Sequence, residues 1–416
     1  MRICIHRGAK EIGGSCVEIE SQGQWLLLDL GLPLDAENND PKYLPDIKGL
    51  DGNDPSFLGI LISHPHVDHF GLLSHISEDI PVGMGPAARR ILKVAAPFMP
   101  GKWPAPEHGW DYESEVPFEI GPFTITPYLV DHSAYDAYAL LIEAEGKRLF
   151  YSGDFRAHGR KSKLFDRMIA NPPENIDVML LEGSSLGRLD DDKQFPSESD
   201  IESRFEKAFR DTSGLAMVHC SAQNIDRVVS VMRASKRTGR KLVIDLYTAV
   251  ILEATGNLNT PQSDWEDVVL MVPQSQRVKI LKNAWFDLLK QHSRNRIFRD
   301  EISASPEKFT LLFRPLYQGD LTRGECLVGA SYIYSQWEGY WDRGEYDDVK
   351  QWLEKHGIDK QSIHTSGHAS PVDLKKLVQA LKPGKVVPIH TFKPEHYEKM
   401  YPNVEVHEDG EWWSAD

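Results

Sequence analysis

The sequence predicts an α/β protein of two domains, one inserted into the other. Three observations carry that expectation. Short apolar runs ending in His or Asp occupy residues 58–154, helices alternate with apolar strands over 201–313, and His-bearing turns return at 364–390. At 416 residues the chain also exceeds what one hydrophobic core comfortably serves.

The first run, Leu58–Ile62, reads as a buried strand that delivers His64-Pro65-His66-Val67-Asp68-His69. Three imidazoles and a carboxylate in one pocket cannot pack apolarly, whereas divalent ions such as zinc bind both donor types. Four ligands within six residues crowd a single tetrahedron, so the set divides: His64 and His66 on one ion, Asp68 and His69 on another. A two-metal centre needs more ligands at later strand ends. Phe123–Val130 reads as a strand ending at Asp131-His132, and Lys147–Ser152 as one ending at Gly153-Asp154. His132 is the candidate third ligand of the first ion and Asp154 a carboxylate able to bridge both. The plain alternatives are a coincidental His-rich turn and, for Asp154, a turn former.

With these residues quoted, the sequence resembles the metallo-β-lactamase superfamily, whose signature is HxHxDH followed by a lone His and a lone Asp on successive strand ends. Gly8–Cys16 and Leu26–Gly31 are similar to the opening of that fold in its β-CASP branch of nucleic-acid processing enzymes. Val178–Leu181 delivers Glu182, followed by Gly183-Ser184-Ser185, similar to the acidic motif that opens the β-CASP region. His364-Thr365-Ser366-Gly367-His368-Ala369 and Val386–Thr391 resemble that branch's second and third motifs. The resemblance implies an αββα sandwich with an inserted β-CASP α/β domain, divided as 1–190, 191–345 and 346–416. It implies His64, His66 and His132 on one ion, Asp68, His69 and His390 on the other, Asp154 on both, and Glu182 with His368 as an acid pair. Asp68 thereby belongs to the catalytic set as well. His at the third motif favours RNA over DNA. Two departures from RNase J-type members stand out: Thr391-Phe392 replaces Gly-Glu, and Gln223 replaces a Ser associated with recognising a 5′-phosphate.

The chemistry follows from the residues themselves. Two divalent ions about 3.5–4 Å apart activate a bridging water and clamp the oxygens of a phosphorus centre. His368, oriented by Glu182, suits a general acid for the leaving oxygen. Ser366 and the amides around Gly367 suit a phosphate oxygen, and His364, Ser184 and Arg156 complete the expected substrate contacts. A polar turn before the helix Pro371–Leu381, with Ser370 as its N-cap, is the structural alternative for 364–368. The sequence leaves zinc and manganese open, as it does RNA and DNA, and exo- and endonuclease action.

From Ser197 the rhythm changes. Helices are expected over Ile201–Phe209, Asn224–Arg237, Ala249–Glu253 and Gln276–Gln291, and strands over Leu215–His219, Leu242–Ile244, Val268–Val272 and Thr310–Phe313. This alternation implies a parallel sheet covered by helices. His390 completes a metal shell only if the tail folds back onto the first domain, which makes the middle domain an insertion. A further helix is expected at Lys350–Lys355.

Composition excludes some classes. No apolar run reaches eighteen residues and the N-terminus lacks a signal-peptide pattern, so no membrane partner is expected and the cytoplasm is the default. Four scattered cysteines without a CxxC pair argue for reduced thiols. Net charge of −15 opposes non-specific binding of polyanions. Two basic clusters partly answer it, one at Arg156, Arg160, Lys161 and Lys163, the other at Arg233–Lys241. The aromatic run Tyr332–Trp341 reads as packing between the domains in preference to a base-stacking platform. The expected activity is phosphodiester cleavage of RNA or short single-stranded nucleic acid, and a homo-oligomer is compatible with it. A small-molecule esterase or phosphodiesterase and a non-catalytic partner subunit are the alternatives, the Glu182–His368 pair discriminating the first and metal content the second.

Overall fold

The computed structural model describes residues 1–101 and 103–416. It divides into two compact units, one comprising Met1–Phe195 and Gly367–Asp416 and the other Pro196–Ser366. Among the described residues, no helix is long and apolar enough to cross a membrane.

The first unit is built on two six-stranded sheets. One contains β1 (Arg2–Arg7), β2 (Cys16–Ser21), β3 (Gln24–Leu28), β4 (Phe57–Leu61) and β5 (Val82–Gly83), with β18 (Trp412–Ser414) on its β1 edge. The other contains β6 (Phe118–Ile120), β7 (Phe123–Val130), β8 (Ala137–Ala144), β9 (Lys147–Tyr151) and β10 (Val178–Glu182), with β17 (Lys385–Ile389) beside β10. Side chains alternate across each strand, so every strand serves two cores. Ile19, Leu26 and Leu28 meet Leu140, Ile142, Leu149 and Leu180 in the core between the sheets. Leu141, Phe150, Met179 and Leu181, on the other face of the second sheet, pack on Phe165, Leu374, Leu377 and Leu381 of the helices Ser162–Ala170 and Pro371–Leu381. Leu27 and Ile60, on the other face of the first sheet, share a core with Leu92 of the helix Pro86–Ala95. The layers are helix, sheet, sheet, helix. Ser370 caps Pro371–Leu381 by accepting the Asp373 amide, as its sequence position predicts.

Strand direction assembles the site. β3 runs parallel to β4, and β9 parallel to β10 and β17, while β8 is antiparallel to both β7 and β9. β7, β9, β10 and β17 therefore end on one edge of their sheet. Glu182 pairs with Ile389, which sets Glu182 beside His390.

The second unit holds a wholly parallel sheet of β11 (Ala216–His219), β12 (Lys241–Ile244), β13 (Val268–Leu270), β14 (Phe309–Phe313), β15 (Ser331–Tyr334) and β16 (Lys360–Ser362), in spatial order β13-β12-β14-β11-β15-β16. β11 to β14 are almost wholly buried, which is why they read as apolar runs, whereas the edge strand β16 is polar and largely exposed.

Four expectations need correction. The segment expected to begin the C-terminal part at 346 folds with the second unit as far as Ser366, because Val349, Leu353 and Ile358 fill its core and β16 extends its sheet. The single helix expected over Gln276–Gln291 is two, Gln274–Asn283 and Phe286–His292; Ala284 turns left-handed (φ 55°) and the Trp285 amide closes on the Ile280 carbonyl. In the cluster at 233–241, Arg237 and Lys236 pair with Glu202 and Asp267, and Arg240 is buried, donating to the carbonyls of Gly214 and Phe309. Tyr332 and Tyr334, expected to pack between the domains, belong to the second unit's own core, with Trp341 packed against it.

Candidate metal centre

The expected metal ligands follow strand ends. β4 delivers Ser63 and His64, and the short helix Val67–Phe70 follows with Asp68 and His69. His132 follows β7, Asp154 follows β9, and His390 follows β17 in left-handed backbone (φ 53°). Close packing here requires Gly31: a Cβ there would lie 1.7 Å from the Asp68 carbonyl oxygen.

The geometry brings all seven expected ligands together. His64, His66 and His132 form one triad, Asp68, His69 and His390 another, and His64 with His69 and Asp154 a third, the donor atoms of each lying within 4.8 Å of one another. Asp154 Oδ2 stands 3.6 Å from His64 Nε2, 3.2 Å from His69 Nε2 and 3.6 Å from His390 Nε2. One carboxylate oxygen thus faces imidazoles of both triads.

The donor set fits a metal by a direct test. Nε2 of His64, His69 and His390 and both Asp154 oxygens are buried without a well-formed hydrogen-bond partner among the described residues. Unsatisfied buried polar atoms each cost about 1–3 kcal/mol, so so many aimed at one point imply a cation that satisfies them. The outer nitrogens are by contrast occupied. His64 Nδ1 meets Ser63 Oγ at 3.0 Å, His390 Nδ1 meets Ser15 Oγ at 2.9 Å, and His69 Nδ1 meets Asp29 Oδ2 at 2.7 Å. Such contacts fix ring orientation and tautomer.

Asp29 is the residue the sequence reading missed. Fully buried, it accepts from Tyr151 Oη (2.6 Å), Ser63 Oγ (2.8 Å) and the Ser63 amide (2.7 Å) besides His69. Its signal was present: Leu26-Leu27-Leu28-Asp29 is an apolar strand ending in a carboxylate, the same pattern that singled out Asp154.

Electrostatics prepare the ligands. Burial depresses the histidine pKa values of His64 and His132, and that of His66 to about 4, leaving neutral imidazole, the form that ligates. Burial likewise lowers His390. Burial opposes charge on His69 too, but Asp154 and Asp29 outweigh it and raise its pKa. For Asp154, burial is outweighed by His390 and His69, which hold it ionised.

His368 sits at the rim, its Nδ1 3.5 Å from Glu182 Oε2, 3.6 Å from Asp154 Oδ2 and 3.1 Å from Ser184 Oγ. Burial disfavours its charge, yet Glu182 and Asp154 raise its pKa above the usual histidine value. Glu182 is itself fixed by the Ser184 amide (3.0 Å) and the Ala369 amide (3.3 Å).

The expected substrate contacts fare differently. Arg156 is fully buried and paired with Asp131, the neighbour of His132. Ser184 is also buried and supports His368. His364 and Ser366 lie in the second unit, where Arg227 Nη1 approaches His364 Nδ1 at 3.3 Å and donates to the Ser335 carbonyl, while pairing with Glu198 at 3.0 Å.

A model of the beta-lactamase superfamily domain matches residues 25–238, just over half of the chain. The chain belongs to the metallo-β-lactamase superfamily. A second model, the Zn-dependent metallo-hydrolase RNA specificity domain, matches residues 345–395. Ribonuclease J of Sinorhizobium meliloti is 23% identical over 389 residues, covering 88% of this chain and 64% of the relative. Ribonuclease J of Helicobacter pylori strain 26695 is 21% identical over 411 residues, covering 92% of this chain and 55% of the relative. The chain spans somewhat over half the length of these relatives. A crystal structure of a protein of unknown function from Enterococcus faecalis V583 superposes over 99% of both chains with a TM-score of 0.79 at 20% identity, showing the same fold.

Proposed function

We propose that this protein is a two-metal phosphodiesterase acting on RNA. The observation that carries the reading is the acid pair: Glu182 and His368 stand beside Asp154, the carboxylate facing both His triads. Ester hydrolysis at a metal centre alone does not call for that pair, whereas departure of a ribose oxygen calls for a proton donor. The names of the ribonuclease J relatives and of the RNA specificity domain point the same way.

His64, His66 and His132 would hold one ion, Asp68, His69 and His390 the second, and Asp154 both; zinc fits the imidazole-rich set, and manganese accepts it as well. When bound, the ions supply Lewis acidity and a nucleophile at neutral pH. The chain's residues do the rest. Asp29, Ser63 and Ser15 keep the ligating nitrogens turned inward. Glu182 anchors His368 through Nδ1, and His368 Nε2 passes its proton to the leaving oxygen. Ser366, two residues before His368 in the chain, is the proposed phosphate contact, with His364 held by Arg227. A cytoplasmic setting goes with four buried free thiols.

The test is incubation of metal-loaded protein with end-labelled RNA, single-stranded DNA and duplex DNA beside a His368→Ala variant. Preferential RNA cleavage is expected, falling at least 100-fold in the variant while metal content holds. Equal cleavage by both proteins, or none of any nucleic acid, refutes the assignment.

A further inference from the structure

Beyond the basic clusters at 156–163 and 233–241, the acidic chain contains a further stretch of the opposite sign that the metal centre does not use. Residues 274–299 carry seven Lys and Arg against the single acid Asp287, a net +6 within a chain of −15. They form the helices Gln274–Asn283 and Phe286–His292 and lead into the helix Arg299–Ala304 of the second unit.

A groove of about 380 Å³ opens here, lined by Arg277, Arg299 and Arg323 and by the ring of Phe298, which is 46% exposed. Its acids are engaged. Asp320 accepts the Gln274 amide at 2.9 Å and Arg323 at 3.3 Å, and Asp300 lies 3.4 Å from Arg299 Nε. The Arg323 side chain nonetheless remains 56% exposed and that of Arg299 41%. Arg277 Nε donates to the Val272 carbonyl at 2.9 Å, which fixes the root of its guanidinium. Arg296 covers Phe298 at 5.0 Å from the ring centroid, a cation–π contact that holds the ring in place.

We infer that this groove is an accessory binding site for single-stranded RNA, with the arginines on phosphates and a base stacked on Phe298. The identity of the polyanion rests on the ribonuclease reading; the groove itself does not. Guanidinium groups match phosphate geometry, and an aromatic face accepts any base. Local positive charge also offsets the repulsion a −15 chain exerts on a polyanion. Val278 and Leu281 lie exposed on the first helix and would suit a bilayer or a second copy of this chain, but a groove with accessible arginines beside an exposed ring suits a flexible strand better.

The experiment compares the metal-loaded full chain with the triple variant Arg299→Gln, Arg323→Gln, Phe298→Ala. Binding of a 20-nucleotide phosphorothioate RNA is followed by fluorescence anisotropy across salt concentrations. Affinity is expected to fall about ten-fold, and the slope of log K against log salt to shrink by about 1.4, two phosphate contacts at about 0.7 each. Turnover of bis(p-nitrophenyl) phosphate is expected to stay unchanged. Replacing the two arginines by lysine should keep the slope, which separates lost charge from a damaged fold. Unchanged affinity and slope in the triple variant overturn the inference. So does loss of binding to phosphatidylglycerol vesicles, or of a dimer in light scattering, with RNA affinity intact. If the wild-type protein cleaves no RNA while the triple variant still loses RNA affinity, the groove stands and the catalytic reading falls.

Discussion

Replacing Asp29 by Asn should loosen the metal centre without disturbing its backbone. Asp29 has φ 60°, a left-handed conformation that Asn tolerates nearly as well as any non-glycine residue, so the change tests hydrogen bonding and little else. The carboxylate accepts four bonds, three of them at Oδ2: from Tyr151 at 2.6 Å, His69 Nδ1 at 2.7 Å and Ser63 Oγ at 2.8 Å. The fourth, from the Ser63 amide at 2.7 Å, uses Oδ1. An amide can keep only one oxygen. Either the Ser63 amide or the Oδ2 group of donors then faces an NH2, and each lost bond to a charged acceptor costs about 1.5–3 kcal/mol. Part of that cost falls on His69, whose ring is no longer held with Nε2 inward. Outer partners of metal ligands typically control affinity by about 10–100-fold, equivalent to about 1.4–2.7 kcal/mol. Zinc competition against a chromogenic chelator at pH 7.5, run beside thermal unfolding of both proteins, reads the two parts separately. Metal affinity equal to wild type in a folded variant would refute the idea that Asp29 orients His69.

Chelating the metal should lower the melting temperature of the first unit, because the buried Nε2 atoms and Asp154 oxygens then lose the cation that satisfies them; at ligand 1,000-fold above Kd the stabilisation amounts to about 4 kcal/mol, and calorimetry with and without chelator should detect it. Arg227→Met strands Glu198 as an uncompensated buried charge and should cost about 3–5 kcal/mol in the second unit, measured by denaturant titration; a change under 1 kcal/mol would contradict the pairing. His219 is buried, meets Tyr332 Oη at 2.5 Å, and burial lowers its pKa to about 3. It is neutral when folded, so the unfolded chain takes up the extra proton below its ordinary value of about 6.5, and stability falls as pH drops from there toward 3. Between pH 7 and 5 the loss attributable to His219 should be about 2 kcal/mol. Denaturant midpoints of wild type and His219→Gln should show the variant with a correspondingly shallower acid dependence.

Legibility in the sequence differed from residue to residue. The run at His64–His69 declared itself because ligands this dense on one turn have no apolar use. His132 and Asp154 were readable because each is a polar residue just past an apolar strand, at the edge to which that strand runs. Asp29 obeyed the same rule but stood outside the metal-binding triads, so its role depended on a histidine forty positions away. The burial of Arg156 and Ser184 was not legible, because charge and polarity look alike in a sequence whether a side chain is buried or exposed. Charge pairing was equally hidden: the cluster at 233–241 is taken up in part by Glu202, Asp267 and backbone carbonyls, whereas the basic stretch at 274–299 is broken by an unforeseen left-handed residue at Ala284.

By itself the sequence determined the donor types, their places at strand ends and the helix–strand rhythm of the middle region, because periodicity and ligand chemistry are local properties. Only the tertiary structure decided which donors share a point in space, which histidine nitrogen faces inward and which charges are already spent. Those depend on strand direction and on partners up to several hundred residues distant, such as Ser15 for His390, and no local pattern encodes such a pairing.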